Sequence, residues 1–400
     1  MRRFPYFTVG FFCVYAVASL QPYLALALRY KGLSPSQTGI ALSVFEAAGI
    51  AGPFVFGYFA DRWGRYKPGL IAAHIVLFLC LIPLLLFRNP LLIALSMAAL
   101  GAGFRSLFPL FDAVTTISIG DSGDYGRLRC AGSASFIVMM LLFQFSPLPK
   151  PDTPASAVSW FGVTGLCSLT AILIIPAGFT NIAGRNAPER PPETERRRNG
   201  NRFWTPLLIL GLLMIAFSRL AMTSVNSFFS LFLREAVHWD ALGIMLSLSA
   251  GSEIPLMFLS KPLIRRFGPL PLLAVSSAAT SIRLGIYGLF PVKGCIIIAQ
   301  LFHSLCYGLF YPAGIAFITA CVPPERRALG MSLYLSLGNG LPTFVGTILG
   351  GFIIERLGYS AMFGVFALFP LGALGIFALI LNVRKGYALP CPLDTKDNLT

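Results

Sequence analysis

Apolar runs of about 20 residues recur from one end of this 400-residue chain to the other. No other feature limits its fold as strongly. Each run is long enough to cross about 30 Å of hydrocarbon at the helical rise of about 1.5 Å per residue. Inside lipid a bare backbone amide costs several kcal/mol, so a single spanning segment must be a helix. A membrane β-barrel needs alternating strands of about ten residues, and that alternation is absent. The runs predict twelve spans, at 6–28, 36–60, 68–87, 91–119, 129–146, 157–179, 204–233, 240–262, 270–290, 294–318, 328–354 and 360–383. Charged residues make up only 12% of the chain, about half the share of a soluble domain. The apolar stretch after Met1-Arg2-Arg3 is too long for a signal peptide and reads as a retained first span.

The net charge of +15 matters less than where it lies. The N-terminus, the alternate loops and the C-terminus on one side carry 21 Lys and Arg, against 7 in the loops of the other side. That bias places both termini in the cytoplasm, here of a bacterial inner membrane, and excludes nucleic acid as the reason for the charge. Residues 181–203 are rich in Pro, Arg and Glu with no apolar period, and read as a cytoplasmic linker. The expected organisation is therefore a six-helix bundle over 1–180, the linker, a second bundle over 204–384 and a tail over 385–400. DRWGR at 61–65 and RRFGP at 265–269 follow the second and eighth spans, 204 residues apart, an echo between the halves that suits a parallel six-helix repeat. The eight cysteines include no CxxC pair and read as small packing residues.

Against so apolar a background, GYFADRWGRYKP at 57–68 stands out. It falls in a tight cytoplasmic turn. Gly57 would permit close helix approach, Gly64 a sharp turn, and Asp61 could cap a helix or accept from an arginine. Gly57, Asp61, Arg62, Gly64 and Arg65 resemble the major facilitator superfamily signature G-x-x-x-D-R-x-G-R-R/K, with Tyr66 and Lys67 where that pattern has basic residues. The resemblance implies an all-α integral membrane protein of two pseudo-symmetric six-helix bundles, with this turn as a conformational latch.

Ionisable residues inside spans are costly and mark function or pairing. They are Glu46, His74, Arg105, Asp112, Arg219, Glu253, Arg283 and His303, with Arg129 at a border. Glu253, Arg283 and His303 lie at similar depth on the eighth, ninth and tenth spans, where they could neutralise one another and exchange a proton. Asp112 and Arg129 flank the turn near Gly120 and would face each other across a hairpin, at a level that hydropathy puts near the cytoplasmic surface. Glu46 and Arg105 read as a structural pair, and His74 as packing. Within or beside spans, four arginines face three acids, a surplus that suits an anionic substrate. Phe228, Phe229, Phe232, Tyr307, Phe310 and Tyr311 read as packing or membrane anchors; lining a cavity, they would suit a ring-bearing solute.

AGSEIPLMFLSKPLIRRFG, SSAATSIRLGIYG, AQLFHSLCYGLFYP, PLFDA and YGRLRCAGSASF resemble the lactose permease branch, which holds oligosaccharide and nucleoside proton symporters and phenylpropionate-type permeases. The resemblance implies Asp112, Arg129, Phe136 and Glu253 as substrate-binding residues. It implies Glu253, Arg283 and His303 as the proton-coupling set. Cys306 stands where the lactose carrier has a carboxylate, Gln300 where it has a basic residue, and Arg219 near the place of a missing acid. The expected function is proton-coupled symport of a small organic solute such as an aromatic acid, sugar or nucleoside, by a monomer. Proton-driven efflux and a non-transporting sensor are the alternatives. With no GxxxxGK[ST], HExxH or GxSxG, neither an enzyme, a cofactor nor a metal is expected.

Overall fold

The structure is a computed structural model, and it describes residues 4–119, 125–176, 204–323 and 326–386. The expected linker at 181–203, and all but the start of the expected tail, lie outside these residues. Every regular element described is helical. The first span is α1 (Phe4–Ala18) continued through a 3-10 turn into α2 (Leu24–Tyr30). Then come α3 (Pro35–Trp63), α4 (Tyr66–Leu86), α5 (Pro90–Ile119), α6 (Tyr125–Phe145) and α7 (Pro154–Ile174). The second half holds α8 (Pro206–Leu231), α9 (Leu242–Phe267), α10 (Pro269–Leu289), α11 (Lys293–Leu301), α12 (Phe310–Cys321), α13 (Arg327–Leu333) and α14 (Leu341–Gly386).

Five of these helices begin on proline, which fits the first turn because its missing N–H has no partner there anyway. Ser34 and Thr153 complete capping boxes at the starts of α3 and α7, with Gln37 and Ser156 reaching back. Eleven helical stretches of the described residues are long and apolar enough to cross a bilayer, and the chain is an integral membrane protein. The last stretch, Leu329–Asn382, has 54 residues, too many for one crossing. Within it Gly358 leaves helical geometry at φ 83° and ψ 177°, a region glycine enters freely. That break restores the two final spans expected from hydropathy and brings the count to twelve.

Three π-helical segments interrupt the second half: Phe232–Ala236, Ser304–Leu309 and Tyr334–Gly340. Such segments are rare and shift the phase of every following side chain. Their positions could not be read from hydropathy.

The described residues fall into two compact units set by packing. The first takes in Met1–Arg185, Asn226–Ser247 and Thr347–Arg356; the second Asn186–Val225, Leu248–Gly346 and Leu357–Thr400. Two stretches of the second half thus pack into the first unit. Glycine explains how closely: a Cβ on Gly243 would lie 2.3 Å from the Met140 carbonyl, and one on Gly39 would lie 2.5 Å from that of Thr347. Polar contacts hold the same end. Arg29 Nε bonds Glu235 at 2.9 Å, Arg234 bonds Asp152 at 3.2 Å, and Lys150 bonds Asp240 at 2.5 Å. Glu355 accepts from the Ser34 hydroxyl and the Ser36 amide, both at 2.8 Å.

Candidate functional site

In the second unit, α9, α10 and the α11–π junction bring Glu253, Arg283 and His303 together, as their depths predicted. Arg283 Nη1 donates to His303 Nδ1 at 2.9 Å, and His303 Nε2 lies 3.6 Å from Glu253 Oε1. The other donors of Arg283 are also used. Nε reaches the Tyr287 hydroxyl at 3.1 Å and Nη2 reaches Gln300 Oε1 at 2.6 Å. The Ser249 hydroxyl donates to the same Gln300 oxygen at 2.5 Å. Burying a guanidinium costs several kcal/mol. Three charge-assisted bonds of about 1.5–3 kcal/mol each offset that cost. Gln300, noted in the sequence only as a departure, is therefore the acceptor that fixes Arg283.

This geometry dictates the histidine tautomer. A guanidinium only donates, so Nδ1 must offer its lone pair, and the ring proton sits on Nε2 facing Glu253. While Arg283 stays in place His303 is neutral. Arg283 is 1% exposed, whereas the Glu253 side chain is 25% exposed. Glu253 is the member of the set that can gain or lose a proton without breaking these bonds.

Beyond His303 the helix carries Tyr307 and Tyr311, at steps of four residues. The His303 and Tyr307 rings stack at 4.7 Å with 27° between planes, and Tyr307 and Tyr311 lie 5.7 Å apart. Arg219 of α8 meets this ladder. Its Nη1 donates to the Tyr307 hydroxyl at 2.9 Å, and its guanidinium lies 5.3 Å from the Tyr307 ring centre and 5.5 Å from that of Tyr311. Packing was the expected default for both tyrosines. Their i, i+4 spacing from His303, with an arginine at mid-depth on another span, was the signal that could have found this cluster. Of the other aromatics considered, Phe228, Phe229, Phe232 and Phe310 are buried.

In the first unit, Arg105 Nη2 contacts both oxygens of Glu46, at 2.6 and 2.7 Å, and Gln21 donates to Glu46 at 3.3 Å. The structural pair expected there is present. His74 is fully buried, bonded to the Leu70 carbonyl at 2.8 Å and the Ser168 hydroxyl at 3.0 Å. Arg129 of α6 lays its guanidinium 4.1 Å from the Tyr15 ring centre. Asp112 on α5 and Phe136 on α6 are half-buried.

In the 57–68 turn Gly64 ends α3 in the left-handed conformation, φ 59° and ψ 24°, as a sharp turn requires. Arg65 is extended and starts α4. The Tyr66 hydroxyl donates to Asp61, and Arg62 donates to the Tyr58 hydroxyl at 3.1 Å. Lys67 Nζ caps the end of α7 through the carbonyls of Leu173 and Ile175, at 2.7 and 2.9 Å. Tyr66, the departure from the signature, and Lys67 beside it thus both have local work. The close approach expected at Gly57 is not there: a Cβ at Gly57 would meet nothing within 4 Å. It occurs earlier on α3. A Cβ on Gly52 would lie 2.4 Å from the Ala102 carbonyl, and one on Gly101 of α5 would lie 2.1 Å from that of Phe45. Small residues at this crossing let the two backbones touch.

The model of the MFS_1 like family matches residues 6–365. The uncharacterized transporter YwbF of Bacillus subtilis is 26% identical over 387 residues, covering 94% of this chain and 91% of its own. The maltose permease of Geobacillus stearothermophilus is 24% identical over 384 residues, covering 94% and 93%. A probable 3-phenylpropionic acid transporter of Escherichia coli K12 is 22% identical over 361 residues, covering 88% and 91%. Among solved structures, the nucleoside transporter NupG superposes with TM-score 0.75 at 16% identity, covering 95% of this chain and 99% of that one. That likeness is one of fold.

Proposed function

The chain belongs to the MFS_1 like family of membrane transporters, and from that premise we propose that it carries a small organic solute together with protons, by alternating access. The observation that supports proton coupling best is the cluster of Glu253, His303 and Arg283, in which Arg283 bonds His303 and Glu253 lies 3.6 Å from its ring. It holds one acid, partly exposed, beside a histidine whose ring proton faces it. Protonation of Glu253 removes the negative charge near His303 and frees that part of the set to rearrange. Linking this proton to occupancy by the solute makes uptake against a gradient possible. Asp112, Arg129 and Phe136 are proposed to contact the solute from the first half. Gly57, Asp61, Arg62, Gly64 and Arg65 are proposed as a cytoplasmic latch. The charge bias supports cytoplasmic termini, and similarity to bacterial transporters supports a bacterial inner membrane. The ion pairs of Arg29, Lys150 and Arg234 then form a clasp on the outer side. The working unit is proposed to be a monomer.

The test uses purified protein in liposomes with an imposed pH gradient. Labelled maltose, uridine and 3-phenylpropionate serve as probes, one for each solute class suggested by similar proteins. Glu253→Gln is expected to lose uphill accumulation of whichever probe the native protein concentrates, while exchange at equal concentrations persists. Undiminished accumulation by that variant would remove Glu253 from the mechanism. Accumulation that requires the opposite gradient would replace symport with export by antiport.

A further inference from the structure

We infer that Arg219, in its cage of tyrosines, is the binding site for the carboxylate of an anionic solute. This deepens the transport reading and rests on it. Arg219 is 7% exposed, on the middle turns of α8. Among the described residues no acid pairs with it. Its one hydrogen bond goes to a neutral hydroxyl, that of Tyr307, and its buried Nε–H has no acceptor. A full charge is thus held out of water with only a neutral hydroxyl and two ring faces to answer it, an arrangement open to a better partner.

Arg105 in the other unit shows the alternative. There the sequence supplies a carboxylate, and both its oxygens contact the arginine. At Arg219 the chain supplies none. The charge count of the second unit says what is missing. Arg219 and Arg283 are buried cations, Glu253 faces His303, and the buried set is one negative charge short. A monocarboxylate supplies one negative charge; a phosphate dianion would overshoot and be costlier to desolvate. The ladder of Tyr311, Tyr307 and His303 joins this place to Glu253, so an anion at Arg219 would act electrostatically on the group proposed to take the proton. One of the three π segments holds a tyrosine of this cage, Tyr307. Rephased helix at such a point is a feature of functional sites.

The experiment is a binding titration on the full-length protein in detergent, read by thermal unfolding and calorimetry. The probes are benzoate, phenylacetate and 3-phenylpropionate, each beside its uncharged amide, with maltose and uridine as neutral solutes. At least one carboxylate is expected to stabilise the native protein, and its amide to bind at least tenfold more weakly. Arg219→Gln should abolish the carboxylate response, and Arg219→Lys should retain it at reduced affinity, because ammonium keeps the charge without the fork. The comparison of acid with amide on native protein needs no variant, so it decides the charge requirement even where a substitution unfolds the chain. The inference is overturned by equal binding of acid and amide, by a carboxylate response that survives in a folded Arg219→Gln protein, or by silence from all three acids. If maltose or uridine is transported with dependence on Glu253 while the acids are silent, the carboxylate site falls and the transport reading stands. If an acid binds through Arg219 but no probe crosses the membrane under either gradient, the transport reading falls and the site stands.

Discussion

Arg105 and Arg219 occupy corresponding roles in the two halves and meet opposite fates. Each lies on the middle turns of a long apolar helix, α5 or α8. Arg105 is met by Glu46, itself held by Gln21. Arg219 is met by Tyr307 and Tyr311, which offer ring faces and a hydroxyl. The first arrangement neutralises a charge and ties α3 to α5. The second keeps a charge available.

The comparison breaks most sharply at Glu46. Glu46→Gln leaves the half-buried Arg105 without its carboxylate and should cost about 2 kcal/mol, the range for a lost charge-assisted hydrogen bond. Thermal unfolding in detergent would register it as a clear fall in Tm, and an unchanged Tm would demote the pair to a surface contact. The double change Glu46→Gln with Arg105→Gln should recover most of that loss, since no unpaired charge remains, and a double-mutant cycle measures the coupling. Arg219→Met is the opposite case. No acid is orphaned and a desolvated charge is removed, so stability should stay within about 1 kcal/mol or rise. A loss as large as that of Glu46→Gln would mean that Arg219 is a structural strut. The smallest effect is expected from the partly exposed pairs at the far end of the first unit. Glu235→Ala removes the partner of Arg29 and should change stability by less than about 1 kcal/mol, less still in high salt.

The glycines of α3 carry a related lesson. Gly57 belongs to a recognisable signature, yet no neighbour approaches it, while Gly52 and Gly101, outside any motif, sit where two backbones touch. A motif records what a position does for function, which can lie in another conformational state. Packing in one state obeys local sterics alone.

Hydropathy and charge fixed the number of spans and the basic turn, because both follow from transfer energies that add along the chain. The similar depth of Glu253, Arg283 and His303 was legible too, since helical rise converts residue number into height. Which groups touch was a matter for the tertiary structure. Contact depends on how each helix is rotated about its axis, and one π turn rotates everything beyond it by about 100° without changing composition. Tyr307, which meets Arg219, lies within such a segment, whereas the bond from Arg283 to Gln300 precedes it and depends on how α10 and α11 are turned toward each other.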